Sequence, residues 1–305
     1  MKYTVQSQSS LFDALVGLFP ESSKTTVRSW LKEGRVLLNE RVVKLGSKPV
    51  TAGDQITFAA KQRTTRNGGI RIYYEDRHLV VIEKPARLLT VSTAFEKEET
   101  AHALLKEHYR TQEVYVVHRL DQDTAGVMLF ARSEEARDKL KSMFEAHALQ
   151  RVYIALVEGV LKKGVAGTWS SYLYEDGNYF VHTTEDPSRG VHAVTHYEVL
   201  QAYPSCSLLQ LVLETGRKNQ IRVHCQAAGH SVVGDKKYGA SGRLTSRLCL
   251  HAHSLAFAHP ITEQKMHFVS PLPDLFKRIS VKKLTFYTTH HAAPTSKTRR
   301  RSPTS

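Results

Sequence analysis

The stretch VYVVHRLDQDTAGVMLFA, residues 114–131, decides how this sequence is read. Its two ends are apolar and rich in β-branched residues, which suits buried strands. Between them HRLDQDTAG, residues 118–126, sets His118, Arg119 and Asp121 within four positions. A second acid, Asp123, follows, and then the small pair Ala125–Gly126. The segment is therefore expected to be a loop between two buried strands. A solvated loop with a local ion pair accounts for the spacing as well as a reactive site does, because charged loops are common and exposed pairs contribute little. The surrounding sequence has to decide.

Working outward, strand-like runs dominate from IRIYYEDRHLVVIEKP (70–85) onward. Helices are expected at about 98–109 (Ala101, Leu104, Leu105), 134–146 (Ala136, Leu140, Met143, Phe144) and 219–228. Ser133 suits the N-cap of the middle helix, with Glu134 and Glu135 at its positive end. YEDGNYFV (174–181) reads as a hairpin turning at Asp176–Gly177. Strands outnumber helices without regular βαβ alternation, so the body is expected to be α+β with a mainly antiparallel mixed sheet.

The first sixty residues read differently. SLFDALVGLF (10–19) places Leu11, Leu15 and Leu18 on one helical face, and KTTVRSWLKEG (24–34) is a second helix closed by Gly34. Lys24, Arg28 and Lys32 repeat every four residues as a basic stripe, with Arg35 just beyond. Such a stripe is by itself also what the wet face of any small helical domain looks like. RVLLNERVV (35–43) reads as a short hairpin turning at Asn39–Glu40, and GDQITF (53–58) as another strand. The expected organisation is a small α/β domain over 1–60, a linker over 61–69 (KQRTTRNGG), a body over 70–281, and a basic tail over 282–305 without fixed structure.

Charge sharpens that division. The net charge is +14 over 305 residues: +3 on residues 1–60, +3 on 61–69 and +6 on the last 25, leaving +2 on 70–280. Charge held on appendages around a nearly neutral body favours a polyanionic partner such as nucleic acid over a small acidic substrate. No apolar run approaches a membrane span. The opening MKYTVQSQSS lacks the apolar stretch of a secretory signal, and Cys206, Cys225 and Cys249 have neither metal-ligand nor redox spacing. A cytoplasmic protein with reduced thiols is expected.

Several chemistries fail on the residues. DQDTAG imitates the opening of a calcium loop, but Ala125 occupies a ligand position and Arg132 stands where the bidentate Glu belongs. HAH (251–253) offers two imidazoles, short of the three or four ligands of a zinc site. There is no phosphate-cradling glycine loop and no dinucleotide fingerprint, so neither metal nor cofactor is expected. Asp121 and Asp123 could serve a two-carboxylate glycosidase, yet a strongly basic chain is an odd carrier for a neutral polysaccharide. A carboxylate flanked by arginine suits attack on a nucleoside, since the guanidinium favours the anion a nucleophile must present.

At this point HRLDQDTAGVMLFAR (118–132) strongly resembles the central motif of the RluA-type RNA pseudouridine synthases. YYEDRHLVVIEKPARLL (73–89), RVYIALVEG (151–159), TGRKNQIRVHCQAAGHSVVGDKKYG (215–239) and RLCLHAHSLAFAHP (247–260) agree with that family in the same order. Residues 9–58 look like an S-four-type RNA-binding domain. The resemblance implies that Asp121 is the catalytic aspartate and that Arg119 enters the RNA helix as the target uridine leaves it. It also implies that Tyr153 lies against the flipped base and serves proton transfer, and that Arg222 pairs with Asp121. Read alone, Tyr153 is a core residue of an apolar strand and Arg222 a surface residue of a helix.

Three positions depart from the family pattern: Arg87 and Asn219 stand where Gly and His are usual, and Ala125 where Ser is usual. Arg87 falls where a glycine would permit a backbone angle that Arg dislikes. Asn219 keeps a hydrogen-bonding side chain but cannot titrate. The expected protein is an isomerase acting on structured RNA, large-subunit ribosomal RNA or its precursor before transfer RNA, as a monomer without cofactor, metal or membrane. Lys24, Arg28, Lys32 and Arg35 are expected to hold RNA phosphates. The competing expectation is an inactive RNA-binding ribosome assembly factor with the same fold.

Overall fold

The computed structural model describes residues 2–281, apart from 33, 40, 59–62, 66–68, 93–98, 111 and 112. The chain divides into two compact units. One takes the described residues of Met1–Lys84, Val91–Val117 and Leu129–Asp138, the other those of Pro85–Thr90, His118–Met128 and Lys139–Ser305.

In the first unit, the strands Lys2–Thr4, Gln55–Phe58, Val36–Leu38 and Arg41–Val42 form an antiparallel sheet in that spatial order. The hairpin expected at Asn39–Glu40 is present: Leu38 faces Arg41, and Asn39 takes a left-handed φ of 49°. Glu40 lies outside the described residues. The helices Leu11–Leu18 and Lys24–Lys32 are those the periodicity predicts. Ser10 caps the first through its hydroxyl and the Asp13 amide, at 3.1 Å. Leu11, Leu15, Val27, Leu31, Val36 and Ile56 fill the core, while Leu18 is only half-buried. Phe19, Trp30 and Phe58 meet edge to face beside it, with centroids 5.1–5.3 Å apart.

The same unit holds the hairpin Arg71–Glu75 and Leu79–Lys84 and the helix Ala101–Tyr109, capped by Thr100. Ala101, Leu104 and Leu105 are buried there, as their spacing predicts. Within the 61–69 stretch, Arg63 and Thr64 form a short strand antiparallel to Ile72 and Arg71. Residues 61, 62, 66–68 and the 282–305 stretch lie outside the described residues.

The second unit is built on a twisted mixed sheet. Its strands run in the order Val181–Thr184, Ala166–Glu175, Val191–Tyr203, Cys206–Leu213, Gln150–Glu158, Leu250–Ala258 and the opening residues of Ala125–Ala131. Lys265–Val269 adds to the far part of Leu250–Ala258. All these pairings are antiparallel except one: Ala125 and Gly126 run parallel to His251 and Ala252. Every residue of Ala125–Ala131 is buried, as suits a strand covered on both faces. Within Cys206–Leu213, residues 207–213 alternate instead, every second residue buried and those between only partly.

The hairpin expected at Asp176–Gly177 closes at Glu175 and Val181, so its loop has five residues, not two. The cause is the Asp176 carboxylate, which accepts the amides of Asn178 and Phe180 at 2.9 Å and so makes a wider turn. The left-handed residue is Tyr179, with φ 62°. No helix among the described residues is long and apolar enough to cross a membrane.

Candidate active site

Asp121 sits in a turn directly before a central strand. Its carbonyl accepts the Thr124 amide at 3.1 Å, and the preceding Leu120 is buried and clamped by Thr90. The Thr90 hydroxyl donates to the Leu120 carbonyl at 2.9 Å and accepts its amide at 3.3 Å. Two residues after the turn comes Gly126, with φ 127°, set so close to the neighbouring strand that a Cβ would fall 2.1 Å from the Ala252 carbonyl oxygen. No other residue fits both the angle and the gap.

Ala252 has a second register partner. On its other side lies Tyr153, one residue past an irregularity between Val152 and Tyr153 that shifts the register of Gln150–Glu158. Gly126 and Tyr153 therefore flank the same residue of the strand Leu250–Ala258, which brings Tyr153 into the electrostatic field of Asp121. Burial pushes the Tyr153 phenol up to about 12; Arg151 opposes the rise and Asp121 adds to it. At neutral pH this side chain is an O–H.

Arg222 arrives from the helix Gln220–Ala227. That helix is anchored by the buried Gln220 amide, whose oxygen accepts from the Thr215 hydroxyl and the Arg217 amide, at 2.8 and 2.9 Å. Its nitrogen donates to the Val194 carbonyl and the Thr195 hydroxyl, both at 2.9 Å, so every lone pair and proton of the amide is used. The Arg222 guanidinium then serves two acids. Nε and Nη2 form a fork on Asp235 at 2.6 and 2.7 Å, and Nη1 reaches Asp121 at 3.1 Å. The side chains are 13%, 0% and 30% exposed for Arg222, Asp235 and Asp121. Burial works to lower the Arg222 pKa, but the hydrogen bonds and charge of Asp235, with those of Asp121 behind them, hold it above its ordinary value.

Around this pair, Asn219 opens the helix in the left-handed region, φ 54°. Its side-chain oxygen accepts from Arg222 Nη1 at 3.2 Å and its nitrogen donates to the Tyr238 hydroxyl at 2.9 Å. An Asn at this place thus orients Arg222 by hydrogen bonds alone. Arg87 adopts φ 69°, the left-handed angle anticipated at a position that suits glycine. Ala125 is buried within its strand.

The structure brings Asp121, Tyr153 and Arg222 together, and leaves Arg119 exposed two residues before Asp121. Lys24, Arg28 and Lys32 belong to the other unit and are all exposed along one helix. Arg28 and Lys32 line a concavity of about 750 Å³ with Phe12, Asp13, Leu31 and Lys44. The Arg28 guanidinium stands 5.1 Å from the centre of the Phe12 ring. Arg35 follows Gly34 and is half-buried. His251 of the HAH stretch is buried against the Ser270 hydroxyl at 2.9 Å, and His253 faces the Ser270 carbonyl at 2.8 Å. Asp235 was missed by sequence reasoning, because an acid in GDKKYG between two glycines and beside two lysines reads as a solvated turn.

Residues 78–227 match the family described as RNA pseudouridylate synthase, and residues 11–56 match the S4 domain. The chain is 33% identical to a ribosomal large subunit pseudouridine synthase D of Haemophilus influenzae, covering 87% of this chain and 88% of that one. It is also 33% identical to an uncharacterized RNA pseudouridine synthase of Bacillus subtilis, covering 85% and 88%. Among solved structures, human RNA pseudouridylate synthase domain containing 1 superposes with a TM-score of 0.56 at 26% identity, over 66% of this chain and 83% of that one. With an α+β sheet that carries Asp121, Tyr153 and Arg222 into one site, and an S4 domain in front, the chain belongs to the RluA-type RNA pseudouridine synthases, isomerases that convert uridine to pseudouridine.

Proposed function

We propose that this protein converts uridines of large-subunit ribosomal RNA to pseudouridine, with Asp121 as the reacting carboxylate. The observation that carries the assignment is the Arg222 Nη1 to Asp121 hydrogen bond at 3.1 Å, backed by a second carboxylate that is wholly buried. A pure RNA-docking protein has no use for that arrangement, since a carboxylate repels the phosphates it must attract. The substrate reading is supported by the name of the Haemophilus influenzae relative.

In the reaction the N1–C1′ bond breaks, the freed base turns, and a C5–C1′ bond forms. C5 gives up its proton and N1 gains one, so no electron, phosphate or water is consumed. Asp121 supplies the negative charge that the sugar or base meets, and Arg222 fixes its position and keeps its near oxygen engaged. Tyr153 lies against the target base, and any proton transfer it makes starts from its O–H. Arg119 fills the place the uridine leaves, which helps repay the few kcal/mol of unstacking. Lys24, Arg28, Lys32 and Arg35 hold phosphates of structured RNA, positioning it without reading sequence. Three buried cysteines outside any disulfide suit a reducing compartment, and we place the protein in the cytoplasm as a monomer.

The test is tritium release from 5-tritiated uridine in transcripts of large-subunit ribosomal RNA and, separately, of transfer RNA. Release from the ribosomal transcript is expected, with Asp121→Asn abolishing it while filter-retention affinity stays nearly unchanged, because affinity comes mostly from phosphates held elsewhere. Full turnover by Asp121→Asn would remove Asp121 from the chemistry. Release from transfer RNA alone would move the substrate.

A further inference from the structure

The five-residue loop 176–180, between Ala166–Glu175 and Val181–Thr184, ends in two adjacent aromatic rings that the fold does not need for its core. Tyr179 is 63% and Phe180 38% exposed. Single exposed hydrophobics are ordinary on a protein surface. These two are unusual in what stands over them. The Lys218 ammonium lies 5.6 Å from the centre of the Tyr179 ring, and that of Lys237 lies 4.6 Å from Phe180 and 5.8 Å from Tyr238. Lys237 also donates to the Tyr179 carbonyl at 2.8 Å.

The loop is held rather than loose. Asp176 accepts two of its amides, and Tyr179 is kept at φ 62°, an angle ordinary side chains avoid. A glycine would suit the backbone better, so the ring is retained against local preference. The loop is also tied to the site by a short path. The Val181 amide donates to the Tyr238 hydroxyl at 3.2 Å, Asn219 donates to the same oxygen, and the Arg222 guanidinium lies 4.9 Å from the Tyr238 ring centre.

The field there is positive. Lys237 is held below its ordinary value by burial first and then by the charges of Lys218 and Arg222, against the opposing pull of Glu175 and Asp121. Of the nearby acids, Glu175 is paired with Lys218, and Asp176 is occupied by loop amides and by His182 at 2.9 Å. Two exposed rings, beside two ammonium groups and close to a uridine site, match the recognition of unpaired nucleotides, which stack on aromatics and leave phosphates to cations.

We propose that Tyr179 and Phe180, with Lys218 and Lys237, form a second RNA site that binds the unpaired nucleotides next to the target uridine. The bases stack on the two rings and the phosphates meet the lysines. Neighbours held this way cannot restack, so the target stays accessible to Asp121. The inference rests on the proposed function for the identity of the RNA and for the place of the reaction.

The test uses the full chain and a 5-tritiated transcript of a bacterial large-subunit ribosomal RNA. Tyr179→Ala with Phe180→Ala should raise KM by about 5- to 150-fold for each base that stacks. The kcat at saturating RNA should stay within about threefold, since the reacting groups are untouched. Tyr179→Phe with Phe180→Tyr keeps both ring faces and should restore the wild-type KM. An unchanged KM in the alanine pair would overturn the proposal, as would a loss of kcat and melting temperature that the ring swap fails to restore. Lys218→Ala with Lys237→Ala should lower the slope of log K against log salt by roughly 0.7 for each phosphate no longer neutralised; an unchanged slope counts against the lysines. Should the wild type release no tritium from this transcript, the substrate reading fails separately. Filter-retention affinity for the same transcript then decides the site: weakened binding in the alanine pair supports it and unchanged binding overturns it.

Discussion

Asp235, not Asp121, holds the fork of Arg222. Both Asp235 oxygens accept from the guanidinium, at 2.6 and 2.7 Å, and only the remaining Nη1 extends to Asp121 at 3.1 Å. The buried acid aims the cation, and the cation aims the half-exposed acid. Asp235→Asn removes the charge while keeping most of the shape, and leaves a buried guanidinium without its main counter-ion. Breaking such a pair costs about 3–5 kcal/mol. The expected outcome is a urea midpoint lowered accordingly, with kcat reduced about 10- to 100-fold and KM little changed, because a positioning residue acts through geometry. Equilibrium denaturation and tritium-release kinetics on one preparation measure both. A variant with wild-type kcat would mean Asp121 needs no support from Arg222.

Gly126→Ala tests the approach of two strands. The added methyl would meet the Ala252 carbonyl at 2.1 Å, at a φ of 127° that alanine does not tolerate. Overpacking of this kind costs about 1–3 kcal/mol, and the backbone angle adds about 1–3 more. The turn carrying Asp121 begins five residues earlier, so activity should fall further than the residual folded fraction explains. Comparing specific activity with the folded fraction from circular dichroism separates the two effects.

Stability should weaken in mild acid. His224 and His251 are both buried and held down to about 4 by desolvation, against an ordinary 6.5. Their folded pKa is depressed, so the folded state binds fewer protons than the unfolded state once pH drops below 6.5. Their contribution is fully present above pH 6.5 and is lost as pH falls toward 4. Each imidazole that gains a proton only on unfolding contributes a slope of about 1.4 kcal/mol per pH unit. Urea midpoints at pH 7 and pH 5 should differ in that direction, and His224→Gln should flatten the difference. A midpoint independent of pH across that window would show that the imidazoles charge without unfolding.

The basic stripe is tested by Lys24→Ala, Arg28→Ala and Lys32→Ala made together. All three are exposed, so the substitutions should leave the melting temperature within about 1–2 °C of wild type. RNA binding should weaken, and the salt slope should fall by roughly 0.7–0.9 for each phosphate the stripe had neutralised. Chemistry at saturating RNA should change much less than binding. An unchanged slope would make the stripe a solvated helix face and nothing more.

What the sequence showed followed what local pattern can carry. Leu11 and Leu15, Leu104 and Leu105, and Ala136 and Leu140 are all buried where helical spacing places them, because that spacing is read within one turn or two. The expected place of Arg222 beside Asp121 came from family resemblance, since 101 residues separate them and no periodicity spans that distance. Asp235 stayed hidden for the same reason. Its ion-pair partner Arg222 lies thirteen residues away, while its own neighbours are lysines. The tip of the 174–181 hairpin was misplaced because Gly177 is the obvious turn residue, yet the Asp176 side chain widens the loop and moves the left-handed angle to Tyr179. Arg87 shows the reverse case, where a departure from the family pattern pointed to an unusual backbone angle that the structure contains.

Gly126 and Tyr153 both pair with Ala252, and this sets how the site can breathe. A fluctuation that draws Gly126 away from Tyr153 must pull apart main-chain hydrogen bonds within the sheet, where amides exchange only through the larger openings of the fold. Fraying at loops and termini does not reach them. The strands on which the Asp121 turn and Tyr153 are mounted are thereby held at a durable part of the unit, so warming should inactivate the chemistry at the global unfolding transition and not in advance of it.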